Sequence, residues 1–374
     1  MRILVALLLL FTTAASAGDG GLLPGLLSAP LTLPVTISGS ELSLDSYVVR
    51  PDRPGRSPLV LMVHGTPDAE GVQFLREIAS RSPVSFNKAA IAFAQRGYAA
   101  AAIMRRGFGR SGGVYSERLQ RACDYLPAVR ISAEDVIAAV TTLRTEPWVD
   151  ADHVVLLGLS TGGLAVTAAA ARNSAGVVGV LNFDGGRHGR SSPGQACNPD
   201  NLVDTLADLG RTARAPALWL YTENDQSYGP ALAHRMYDAY TAAGAPAQLY
   251  VLPPFGSDGH NFVTDFPAES WLPAVEPFLA GLDLPTALII SLPPPPELPP
   301  PPSALPVCKT VFTNYLSFRW DAKAFAIAPT GGCGAAGGRT ADEAREAAIA
   351  DCEVHTHGAD CKLYAIGQHL AKID

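Results

Sequence analysis

Six apolar runs constrain this chain most: "PLVLMVH" (58–64), "YAAAAIM" (98–104), "HVVLLGL" (153–159), "VVGVLNF" (177–183), "PALWLYT" (216–222) and "AQLYVLP" (247–253). A strand with one wet face alternates polar and apolar residues, and these runs do not, so both of their faces must be covered. Helix-period segments fall between and after them at about 86–96, 132–146, 161–172, 230–243 and 268–280, with Ser132 and Asp135 read as a cap for the second. "LPVTIS" and "LDSYVV" read as antiparallel strands ahead of the parallel set. The expected fold class is α/β, a mostly parallel sheet with helices on both faces.

The chain also carries boundaries. Arg2 precedes "ILVALLLLF" and the small-residue stretch "TTAASAG", in which Ala15-Ser16-Ala17 fits a cleavage site. Residues 1–17 are therefore expected to be a signal peptide, and the location periplasmic or secreted. The apolar run is about half of the ~20 residues a spanning helix needs, so no transmembrane segment is expected in the mature chain. Six cysteines, an even number, suit an oxidising compartment. The absence of any Cys-x-x-Cys argues against a metal, and a net charge of −7 with scattered basic residues argues against nucleic acid.

Eight prolines occupy the ten positions from Pro293 to Pro302. The whole segment 284–306 is expected to act as a stiff polyproline spacer, about 30 Å over those ten residues. It divides a domain at 18–283 from a small disulfide-containing α+β unit at 307–374. In that unit strands are expected around "SFRWDAKAFAIAP" and "KLYAIG", with a helix from Thr340 opened by the capping box Thr340-Ala341-Asp342-Glu343.

The strand 153–159 runs into Gly158-Leu159-Ser160-Thr161-Gly162 and then a helix. Glycines on either side of the serine permit a sharp strand-to-helix turn that exposes the hydroxyl at the carboxyl edge of the sheet. A serine needs a base, and the base needs an orienting acid. After Ser160, "LWLYTENDQSYGP" places Glu223 and Asp225 beyond one strand, and "LYVLPPFGSDGHNFV" places His260 beyond the next. Asp225 is preferred to Glu223 because it sits deeper in the turn, and Asp258 lies too close in sequence to His260 to orient its ring. The predicted oxyanion donors are the backbone amides of Thr161 and of Thr66, since Pro67 has none.

The motifs "VHGTPD", "MRRGFGRSGG", "GLSTGG", "YTENDQSYGP" and "DGHNF", in that order, resemble the α/β-hydrolase family, nearest its dienelactone-hydrolase-like and prolyl-oligopeptidase-like branches. The resemblance covers roughly residues 30–282 and implies a mostly parallel α/β-hydrolase sheet. It carries the triad onto Ser160, Asp225 and His260 and the oxyanion positions onto Thr66 and Thr161. The Arg106–Gly113 segment matches a family loop that is usually structural. Residues 308–374 resemble a small domain of unknown function attached to exported bacterial enzymes.

Cys123 and Cys197 lie in loops that leave the sheet at the catalytic edge, so they are expected to pair over the pocket. Cys308–Cys333 and Cys352–Cys361 are the preferred pairings of the rest. Phe108, Tyr115 and Tyr228 are candidates to line an acyl or aryl pocket, and Arg187 and Arg190 to attract an anion. The expected activity is hydrolysis of a small-molecule ester through an acyl-enzyme, with no cofactor. A peptidase or amidase of the prolyl-oligopeptidase type, or a non-catalytic binding module, are the alternatives.

Overall fold

The structure is a computed structural model and describes residues 23–119, 123–189 and 192–371; the expected signal peptide lies outside them. Fourteen strands are present among these residues. They are β1 (Leu26–Ile37), β2 (Ser40–Pro51), β3 (Ser57–Val63), β4 (Ala99–Ile103), β5 (Val149–Leu159), β6 (Val177–Phe183), β7 (His188–Gly189), β8 (Ser192–Ala196), β9 (Ala217–Thr222), β10 (Ala247–Leu252), β11 (Lys323–Ile327), β12 (Cys333–Gly337), β13 (Lys362–Ile366) and β14 (His369–Leu370). Eight of them make one sheet in the order β1-β2-β4-β3-β5-β6-β9-β10. All six apolar runs are strands of that sheet. From β4 onward every neighbour is parallel, while β1–β2 and β2–β4 are antiparallel.

Strand alternation divides the core into two layers. Leu59, Leu61 and Val63 face a layer filled by helices α3 (Tyr125–Leu143), α4 (Thr161–Ala170), α5 (Pro199–Gly210) and α6 (Pro230–Ala242). Val60 and Met62 face the other layer, with α2 (Asn87–Ala94), α7 (Phe262–Asp265) and α8 (Leu272–Ala280). The near-continuous apolar strands are thus explained by cover on both sides. Helix α1 (Gly71–Ser80) follows the β3 exit and is exposed along much of its length.

Helix α3 begins seven residues before the expected start. Asp124 caps it by accepting from the Leu126 amide at 3.3 Å. Ser132 lies inside the helix and donates to Val129 O at 3.1 Å, and Asp135 is taken by Arg106, whose Nε donates to it at 2.6 Å. A buried carboxylate needs a charged partner, and only the folded chain supplies this one. Helices α1, α5 and α7 were not expected; α5 is capped by Asn198, whose side chain accepts from the amides of Asp200 and Asn201.

The second sheet, β12-β11-β13-β14, is antiparallel. It is preceded by an unexpected helix α9 (Pro306–Ser317) and packed by α10 (Ala341–His355), where Thr340 accepts from the Glu343 amide at 3.2 Å as its sequence implied. The strand expected around "SFRWDAKAFAIAP" is confined to Lys323–Ile327. The disulfides are Cys123–Cys197, Cys308–Cys333 and Cys352–Cys361.

The proline segment does not stand off as a free spacer. Ile289 and Ile290 amides donate to Gln95 O at 2.9 and 3.1 Å, Ile290 and Leu292 pack on the larger core, and Tyr364 donates to Pro299 O at 2.9 Å. Apolar residues interleaved with the prolines give this strap something to bury. Across the junction Arg339 pairs with Asp45, Arg110 meets Glu343 at 2.6 Å, and Trp320 lies on Tyr47 with ring centroids 4.9 Å apart.

Candidate active site

Ser160 occupies the turn between β5 and α4 at φ 56° and ψ −122°. A side chain at that φ is strained, and the turn survives because its neighbours are glycines. A Cβ at Gly158 would stand 2.1 Å from Gly162 O, and one at Gly162 would stand 2.1 Å from Val63 O. The Ser160 amide donates to Phe183 O at 2.9 Å and its carbonyl accepts from the Gly186 amide at 3.2 Å, fixing the elbow to the β6 exit.

Asp225, in the loop after β9, and His260, in the loop after β10, form the expected pair, with Nδ1 to Oδ1 at 3.1 Å. The same Asp225 oxygen accepts from the Ser227 and Tyr228 amides at 2.7 and 3.1 Å. Burial pushes the Asp225 carboxyl up, but the His260 hydrogen bond and charge and the two amides outweigh it and hold it below the usual carboxylate range. Asp258 joins the two loops by accepting from the Gln226 and His260 amides at 3.2 and 3.1 Å, while Glu223 is exposed. Tyr228 connects the pair to the serine: its ring meets His260 edge-on at 5.3 Å, and its hydroxyl interacts electrostatically with Ser160 but has no partner in good hydrogen-bonding geometry.

The β3 exit passes so close that a Cβ at Gly65 would be 3.1 Å from Ser160 Cβ. Thr66 and Thr161 meet through their hydroxyls at 2.8 Å. Beneath them lies Arg105, which the sequence reading did not single out. Its guanidinium donates to Thr66 and Thr161 Oγ1 at 3.3 and 3.4 Å and to His64 O, and it grips Glu117 with both arms at 2.5 and 3.2 Å. The His64 Nε2 accepts from the Arg105 amide at 3.0 Å, so its proton sits on Nδ1 and goes to Gly65 O. Burial, aided by the Arg105 charge, drives the His64 pKa well down and keeps the ring neutral. No local pattern signals this network, because its members come from three strand exits.

A cavity of about 770 Å³ opens over Ser160 and Thr161, with Phe74, Leu75, Leu119 and Tyr228 among its walls. Tyr115 and Tyr228 line it as expected, but Phe108 does not: it is buried against His64, ring centroids 4.4 Å apart. Arg187 is also no free anion receptor, since it is buried, bonds Tyr115 Oη at 2.9 Å and lies 3.7 Å from Glu117. Arg190 lies outside the described residues. His188 sits between Asp68, at 3.3 Å, and the rings of Tyr228 and His260, and burial with the His260 charge holds it below the usual histidine range despite Asp68. The Arg106–Gly113 segment is structural as expected: Ser111 donates to Met104 O at 2.6 Å and accepts from the Asp45 amide at 2.9 Å.

Strand order β1-β2-β4-β3-β5-β6-β9-β10, with a serine elbow after β5, an aspartate after β9 and a histidine after β10, makes this the α/β-hydrolase fold. A model of the prolyl oligopeptidase family matches residues 84–181, from just before α2 through the elbow into β6. Similar solved structures include an esterase of Pyrococcus furiosus, 13% identical with a TM-score of 0.46, covering 67% of this chain and 90% of its own. An acylaminoacyl peptidase of Pyrococcus horikoshii is 14% identical with a TM-score of 0.47, covering 68% of this chain and 41% of its own. An acetyl xylan esterase from Paenibacillus sp. R4 is 16% identical with a TM-score of 0.45, covering 70% of this chain and 84% of its own. No curated protein matches the chain.

Proposed function

We propose that the protein is an exported serine hydrolase that cleaves a small-molecule carboxylic ester through an acyl-enzyme. The observation that carries this reading is the strained Ser160 on an open cavity, linked through Tyr228 to a bonded Asp225–His260 pair. In this reading His260 Nε2 takes the hydroxyl proton as Ser160 attacks, and Asp225 keeps the other ring proton on Nδ1. The Thr161 and Thr66 amides receive the oxyanion, and the Arg105 guanidinium holds both threonine hydroxyls in place from below. His260 then returns its proton to the leaving alcohol, and water repeats the sequence to free the acid. No cofactor enters these steps.

Val72 and Leu75 of α1 stand exposed at the cavity rim, which suits an apolar acyl or aryl group. Three disulfides suit a periplasmic or secreted site of action. The match of residues 84–181 to the prolyl oligopeptidase family favours amide cleavage as the second reading. A panel of p-nitrophenyl acyl esters and aminoacyl p-nitroanilides separates the two, with Ser160→Ala alongside. Ester turnover reduced on the order of 10⁴-fold by the substitution is expected. Turnover confined to anilides would give the peptidase reading, and folded protein inert in both panels and to a fluorophosphonate would leave a binding module.

A further inference from the structure

Asp184 is the first residue after β6, fully buried and unused by the steps above. Its amide donates to Leu220 O at 2.8 Å and its φ is 45°, so the backbone holds it in one place. One oxygen of Asp184, one of Asp225 and one nitrogen of His260 all lie within 4.8 Å of each other. Asp225 Oδ1 takes three donors, whereas Asp225 Oδ2 and both oxygens of Asp184 have no hydrogen-bond partner among the described residues. Two buried carboxyl groups within hydrogen-bonding reach of each other, with three of their four oxygens lacking a well-aligned donor, are an arrangement that a single proton resolves.

We propose that Asp184 is a neutral carboxylic acid that donates its proton to Asp225 Oδ2, making it a positioning residue for the acid of the triad. This rests on the reading of Asp225 and His260 given above. The proton belongs to Asp184 because Asp225 is already stabilised as an anion by two amides and an imidazole, whereas Asp184 has only the Thr222 backbone acting to favour its ionised form. Burial, then the Asp225 charge, pushes the Asp184 carboxyl well above the usual range. With both Asp225 oxygens held, the carboxylate plane is fixed, and with it the His260 ring. The same three groups have the spacing of a cation site, but a cation would require both carboxylates ionised, and His260 Nδ1 is already engaged by Asp225.

The titratable groups facing Asp184 are Asp225 and Asp258 in the loops beyond it, His260, and Tyr221 on β9. Infrared spectroscopy of the folded full chain at about pH 8, where an ordinary carboxyl is ionised, should show a protonated-carboxyl C=O stretch that Asp184→Asn removes and Ser160→Ala keeps. Asp184→Asn retains a donor for Asp225 Oδ2 and should keep most of the turnover, while losing any alkaline limb due to ionisation of Asp184. Asp184→Leu should lower kcat by roughly tenfold or more with little change in KM. No band lost in Asp184→Asn, a full loss of turnover in Asp184→Asn matching that in Asp184→Leu, or inactivation of the wild type by a chelator would each overturn the proposal. The infrared result does not depend on turnover, so it stands apart from failure of the ester-hydrolase reading.

Discussion

The eight-stranded sheet and the four-stranded one bury their cores by different means. The first is filled with large side chains, Trp219, Tyr221 and Tyr240 on one face and Phe93, Phe183 and Trp271 on the other. One layer of the second is built from Ala324, Ala326, Ala328, Ala344 and Ala348 around Cys352 and Cys361. Small side chains remove little apolar surface from water, and a unit of this size has little surface to remove. It is accordingly tied by two disulfides, and by the buried Lys323, which closes the end of α9 through Tyr315 and Leu316 carbonyls at 2.6 and 3.3 Å. The larger region has one disulfide, placed between loops rather than in its core.

The contrast predicts where each region breaks. Leu61→Ala, in the middle of the large core, should cost about 4 kcal/mol by chemical denaturation and lower the whole main transition. A cost below about 1 kcal/mol would mean the sheet does not carry the stability assigned to it. Replacing Cys308 and Cys333 by serine opens a loop with sequence separation 25 and should cost about 3.5 kcal/mol in the small unit. The same change at Cys352 and Cys361, separation 9, should cost about 2.5 kcal/mol. Amide exchange should show both losses confined to residues after 306.

Arg339→Ala tests the seam between the regions. It leaves Asp45 buried without its charge partner, so it should cost about 3 kcal/mol and resolve calorimetric unfolding into two transitions. A single sharp transition in the variant would show that Trp320 and the proline strap suffice to couple the regions. A last test concerns pH. Burial pushes the Asp135 carboxyl up from 3.8 to about 6 despite Arg106. Between those values the folded chain keeps a proton that the unfolded chain has released, so stability should fall as pH rises through that window. Asp135→Asn should flatten that slope, and an unchanged slope would assign it to another group.

Much of this is legible in the chain itself. The apolar runs located the parallel strands because continuous hydrophobicity has few other uses in a chain with turns between. Gly158-x-Ser160-x-Gly162 located the elbow because the close contacts at both glycines forbid other residues. The start of α3 was not legible: Ser132 and Asp135 have the composition of a cap, but Arg106 claims Asp135 from another strand exit. Helix α9 was hidden because Pro306 and a β-rich composition look like strand or linker, although proline is tolerated in a first helical turn.

The sequence by itself determined which runs are strands, the chain positions of Ser160, Asp225 and His260, and the division of the cysteines between two regions, since these follow from periodicity, turn chemistry and chain connectivity; the order of the strands and the partner of each C-terminal cysteine came from the fold. Tertiary structure decided which polar groups are left buried together. Arg105 beneath the two threonines, and Asp184 beside Asp225, are ordinary residues in the chain. They acquire their roles because parallel strands end on one edge and expel water there, so that a charge or a proton must be shared among whatever groups arrive.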